Sequence, residues 1–140
     1  DPEPIFQRIF QSFSLQRTQL LGDLLASIQA PEENRIIYSV LTEPMRRKRG
    51  VDLEDLDGFV DSLGQIAGCE IVFLVVEVGP GRYKVSLRSR GEFSVHRIAA
   101  HFDGGGHAKA AGCRLEGSEE QVIENLLGQC RLTLDAGPAE

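Results

Sequence analysis

Gly104, Gly105 and Gly106, closed by His107, form the stretch of this 140-residue chain whose residue types best suit chemistry. Residues without Cβ reach positive φ and let a ligand come close to the main chain. A helical turn starting at His107 would aim the loop N–H groups and the positive helix end in one direction, as phosphate cradles do, with the imidazole at the rim. A helix cap followed by a turn is the competing reading, although it needs only one glycine. A second element lies upstream in Ser86-Leu87-Arg88-Ser89-Arg90-Gly91. Strand alternation puts Ser86, Arg88 and Arg90 on one face and Leu87 on the other. Guanidinium is a natural bidentate partner of phosphate oxygens, whereas two arginines at a strand end also suit a solvated edge or a salt bridge. If the helix between the two elements packs back on the sheet, Arg88, Ser89, His107 and the loop amides converge on one anion.

The elements that must position these residues read as α/β: a small mixed β-sheet of about four to five strands flanked by helices and preceded by a helical connector. Ile5, Phe6, Ile9, Phe10 and Phe13 fall on one face of a first helix, and Ser14 caps a second one carrying Leu20, Leu21, Leu24, Leu25 and Ile28. Residues 1–30 read as a helical connector needing something to pack on, or equally as an ordinary helical layer on the sheet, and residues 31–140 are expected to form the domain proper. Strands are expected at 35–42, 70–78, 83–88 and 113–115, the middle two joined as a hairpin through Gly79-Pro80-Gly81. Between the first two strands, Glu43-Pro44 starts a short helical turn that carries the basic run Arg46, Arg47, Lys48 and Arg49, a pattern usually found on a solvated face. Asp52 is expected to cap one amphipathic helix through Leu53, Leu56, Phe59, Val60, Leu63 and Ile66, stopped by Gly68. Ser94 caps a helix with Val95, Ile98, Ala99 and Phe102 inward, and Ser118-Glu119-Glu120-Gln121 is a capping box. The tail from Asp135 is expected to fray.

A net charge of −6 argues against gripping long nucleic acid through a broad basic face, yet a few local arginines suffice for a small anion or an oligonucleotide end. Cys69, Cys113 and Cys130 show no CxxC or zinc-type spacing and read as buried residues of a reducing cytoplasm. No membrane span or signal peptide is visible, and a start at Asp1 suggests a fragment. His96, His101 and His107 share no metal-binding spacing.

Ser-Leu-Arg-Ser at 86 to 89, then a short helix, then Gly-Gly-Gly-His-x-x-Ala-Ala-Gly at 104 to 112 and a short strand, resembles the C-terminal DHH-associated domain of the DHH phosphoesterase superfamily. The order of elements from 35 to 134 is most similar to the nano-RNase (oligoribonuclease) and phosphoadenosine-phosphate phosphatase branch. The resemblance implies phosphate or nucleotide contacts from Arg88, Ser89, Gly104, Gly105, Gly106 and His107, with Arg90 and Lys109 as weaker candidates. It implies partners in a short oligonucleotide or nucleotide phosphate and in an N-terminal DHH domain of the same parent, with a homodimeric parent as one option. No cofactor is expected in this chain; Mn2+ is implied for the missing catalytic domain. No Asp-His-His sequence occurs, so the chain is not expected to hydrolyse phosphodiesters alone. The alternative is a nucleic-acid binding module like the one appended to alanyl-tRNA synthetases.

Overall fold

A computed structural model describes residues 13–138, and the first expected helix lies outside them apart from Phe13. The elements run α1 (Leu15–Ala26), β1 (Ile36–Leu41), α2 (Glu43–Arg49), α3 (Phe59–Leu63), β2 (Ile71–Gly79), β3 (Arg82–Ser89), α4 (Val95–His101), β4 (Gly105–Gly106), β5 (Ala110–Glu116) and α5 (Glu119–Ala136). The strands form one mixed sheet in the order β1-β2-β3-β5-β4. β1 and β2 are parallel, which requires the crossover supplied by residues 42–70, and the remaining pairs are antiparallel.

Alternation along the strands divides the apolar residues between two faces. Phe73, Val75, Val85, Leu87 and Cys113 point to a core closed by Val95 and Ile98 of α4 and by Val122, Leu126 and Cys130 of α5. Ile37, Leu41, Val72 and Leu74 point the other way, to Leu20 and Leu24 of α1 and to Phe59, Val60 and Leu63. The second expected helix is thus a layer on the sheet. Helices α4 and α5 cover the first face, whereas on the second face α1, α2 and α3 lie over β1 and β2, and α3 alone reaches β3, where Asp61 meets Arg88.

Caps mark the helix boundaries. Ser14 accepts from the Arg17 amide, and Ser118 with Gln121 completes the capping box that starts α5. Ser94 holds the N-cap position of α4 without a side-chain bond. α5 continues to Ala136, past the expected fraying point at Asp135, because Cys130 and Leu134 keep it seated in the core.

The helix expected over 53–66 is broken. A 3-10 turn at Leu53–Asp55 is separated from α3 by Gly58 at φ 88°, and Asp52 makes no capping bond. The Arg17 guanidinium fills the break, donating to the carbonyls of Asp55 and Asp57 while lying over the Phe59 ring. Three of the four residues of the basic run have local partners: Arg46 donates to the Val51 carbonyl, Arg47 pairs with Glu43, and Arg49 grips Asp23 bidentately at 2.7 and 2.9 Å. That guanidinium holds the Asp23 carboxyl below its usual range.

All three cysteines are buried and free. Desolvation pushes the Cys130 thiol from its ordinary 9.0 up to about 12. The unfolded chain therefore releases this proton before the folded chain does. Stability is full below pH 9 and falls as pH rises toward 12, by up to about 1.4 kcal/mol per unit. Thermal melts between pH 8.5 and 11 should show this slope, and Cys130→Ala should reduce it while lowering every midpoint, leaving the share of Cys113, whose thiol burial pushes up to about 11.

Candidate functional site

β3 is the rail on which the site is built. Its pairing with β2 and β5 leaves Tyr83, Val85, Leu87 and Ser89 buried on one side and Lys84, Ser86 and Arg88 on the other. The second group lies where the helical cover ends. Each of its residues has a defined neighbour: Arg88 opposes Ala110, Ser86 opposes Gly112, and Lys84 opposes Arg114, while Gly105 of β4 continues the row beyond Gly112. The result is a floor with charged rows at both ends and small residues between.

The glycine segment reaches this floor as a strand and a turn rather than as a helix start. His107 donates its N–H to the Ala110 carbonyl at 2.8 Å and accepts from the Ala110 N–H at 3.2 Å, which closes a tight β4–β5 turn over 107–109. No helix begins at His107, so the expected alignment of loop amides with a helix end is not formed. Antiparallel pairing with β5 takes up part of the backbone of the run, and the Gly104 N–H goes to the Ala99 carbonyl.

Two of the three glycines have steric reasons to be there. A Cβ on Gly104 would stand 2.2 Å from the Gly112 carbonyl oxygen, and one on Gly106, at φ 135°, would stand 2.6 Å from the Ala110 carbonyl oxygen. Gly105 differs, because a Cβ there would meet nothing within 4 Å. Asp103, just before the run, holds a left-handed φ of 62°.

The turn is tied to the end of β3. The Ser89 amide donates to the Lys109 carbonyl, the Val95 amide to the Ala108 carbonyl, and the Lys109 ammonium to the Gly91 carbonyl. The two sequence elements therefore meet, and α4 is the link that folds back to allow it. The individual side chains divide. Arg88 is half-buried on the open face, with Nε on Asp61 Oδ1 at 3.0 Å and Nη1 on its neighbour's carbonyl. Asp61 is largely exposed, so this ion pair is weak and exchangeable. Ser89 points to the opposite, buried side and donates to the Gly91 carbonyl at 3.2 Å. His107 is exposed on the turn, and Arg90 is exposed with its stem over Gly64. Lys109 is engaged in holding the turn.

Two hollows open onto the floor. One, of roughly 520 Å³, lies against Phe102, Asp103 and Gly104; the other, of roughly 420 Å³, runs from Arg88 to the wall made by Leu53, Leu56 and Val60. Lys84, Ser86 and Arg114 line both. Lys84 and Arg114 lie outside the residues that the sequence motifs single out. Alternation puts Lys84 on the polar face, but its proximity to Arg114 depends on a strand register that sequence alone does not supply.

Asp55-Leu56-Asp57 has an Asp-x-Asp spacing, yet no three His, Cys, Asp or Glu side chains gather as a ligand set among the described residues. The Mn2+ implied for a catalytic domain has no matching ligand set among the described residues. No helix among the described residues is long and apolar enough to cross a membrane.

Comparison with known proteins finds relatives of this fold. The family model described as the DHHA1 domain matches residues 33–131. The bifunctional oligoribonuclease and PAP phosphatase NrnA of Thermus thermophilus is 38% identical over 114 residues, which cover 81% of this chain and 33% of that protein. Among solved structures, an exopolyphosphatase-related protein from Bacteroides fragilis superposes with a TM-score of 0.81 at 28% identity, over 92% of this chain and 38% of that one. The pGpG-specific phosphodiesterase PggH of Vibrio cholerae shares the fold at a TM-score of 0.59 and 14% identity, over 84% of this chain and 40% of that one. The chain thus spans about a third of the Thermus protein's length.

Proposed function

Because the chain belongs to the DHHA1 domain family, we propose that it is the substrate-holding part of a DHH phosphoesterase acting on short oligonucleotides or phosphoadenosine phosphate. The observation that carries this reading is the stitching of the 107–109 turn to the end of β3, beside Arg88. A phosphate arriving on the open face displaces the exposed Asp61 carboxylate and takes the Arg88 guanidinium in a charge-assisted pair. His107 adds a donor from the turn, and Gly105 lets the ligand lie close to the main chain. Ser89 and Lys109 act by holding the turn against the strand, and Arg90 is a further cation at the strand end.

Chemistry on the bound phosphate belongs to a DHH domain on the N-terminal side, which would bring two Mn2+ ions to activate water. This chain's residues bind and orient. Gripping structured RNA, as in the alanyl-tRNA synthetase reading, finds little support in a net charge of −6.

Titration with a fluorescent dinucleotide and with phosphoadenosine phosphate tests the proposal. Arg88→Ala should weaken both by about tenfold or more, the value of a hydrogen-bonded charge pair, with the thermal midpoint nearly unchanged. Equal affinity of wild type and Arg88→Ala for both ligands would sink the reading.

A further inference from the structure

We propose that Lys84 and Arg114 form a second anion-binding row that lets the floor hold more than one phosphate of a single-stranded oligonucleotide. The inference rests on the substrate-holding reading and extends it to the length of the ligand. The two cations stand directly opposite one another on neighbouring strands. Like charges in that relation repel and destabilise a sheet. Both are exposed, and among the described residues neither takes part in an ion pair. Glu54 and Asp57 face the pair across one hollow and Asp103 across the other, all without bonding to it. A polyanion lying on the floor relieves the repulsion.

The spacing specifies the ligand. Four residues along β3 separate Lys84 from Arg88, a rise of about 13 Å, too far for one phosphate to touch both rows. Ser86, Gly112 and Gly105 fill the interval with small residues, so a nucleotide chain has room to cross between the rows. The shortest ligands reach only the Arg88 row, and longer ones engage both.

Anisotropy titrations of the whole 140-residue chain with a 5′-phosphorylated dinucleotide and a 5′-phosphorylated pentanucleotide test this. Lys84→Ala/Arg114→Ala should weaken the pentanucleotide by about tenfold or more and leave the dinucleotide within about twofold. Each single-strand phosphate contact contributes about 0.7 to the slope of log K against log salt, so the double variant should flatten the pentanucleotide slope by about 1.4. The charge-keeping Lys84→Arg/Arg114→Lys should restore both affinity and slope. Thermal midpoints should hold or rise, because a repulsive pair is removed. Equal losses for the two ligands, or no loss for either, would overturn the second row. Arg88→Ala run beside it separates the two ideas: a loss there with none in the double variant leaves the substrate-holding role standing and removes only this extension.

Discussion

Gly104→Ala is expected to unfold the β4–β5 corner, whereas Gly105→Ala one residue later is expected to fold normally and bind poorly. The first methyl group would lie 2.2 Å from the Gly112 carbonyl oxygen and 2.7 Å from the Cys113 Cβ, both on the strand that carries the sheet outward from β3. Neither neighbour is the free end of a flexible side chain, so β5 itself must move. Overpacking of this kind costs about 1–3 kcal/mol or more. Gly106→Ala adds an unfavourable φ of 135° to a 2.6 Å contact and should be at least as damaging. Differential scanning calorimetry should therefore rank Gly105→Ala near wild type and the other two well below it. The binding assay should then separate Gly105→Ala from wild type, because its methyl group projects into the open space where a ligand would lie. A Gly105→Ala protein that is stable and binds the dinucleotide at full strength would mean that the glycine run serves only the fold.

The contrast among three identical residues shows where reading the chain succeeds and where it stops. Periods of two and of three to four placed the strands and helices, and alternation through Ser86, Leu87 and Arg88 put the guanidinium on the polar face. Those signals are local. The glycines suggest a loop leading to a helix because β4 is only two residues long, too short to show any pattern; its existence depends on pairing with β5. The apolar period from Leu53 to Ile66 runs unbroken through Asp57 and Gly58, yet the helix does not, since Arg17, some forty positions away, satisfies the carbonyls that the break exposes. The neighbouring cations Lys84 and Arg114 are thirty positions apart and meet only through register. What the sequence leaves out in each case is a contact made by another segment, just across a tight turn for β4 and thirty or more positions away for the other two, and two of the three lie at the open floor.

Phe59→Ala should be the costliest core substitution for the site, because this ring supports the wall of the cleft as well as the core. Phe59 is fully buried among Leu20, Leu24 and Leu63, and it carries the Arg17 guanidinium 4.7 Å above its centroid. Removing a buried phenyl ring costs about 3–5 kcal/mol in lost transfer energy and cavity formation. Part of that loss is specific to the broken helix. Without the ring, Arg17 keeps the Phe13 ring, 3.9 Å from its guanidinium, but loses the core-side surface beneath it, and the segment bearing Leu53, Leu56 and Val60 loses part of its anchor. Chemical denaturation should show the drop in stability, and hydrogen exchange should show the amides of 53–63 deprotected beyond the global change. Arg17→Ala should reproduce the local deprotection with a much smaller loss of stability, because its bonds are exposed and its cation–π contact is worth only about 1 kcal/mol. Both variants should weaken oligonucleotide binding, since Leu53, Leu56 and Val60 of this same segment wall the hollow that Arg88 lines. If Arg17→Ala leaves exchange over 53–63 unchanged, the break in the helix is held by its own residues and the guanidinium is incidental to it.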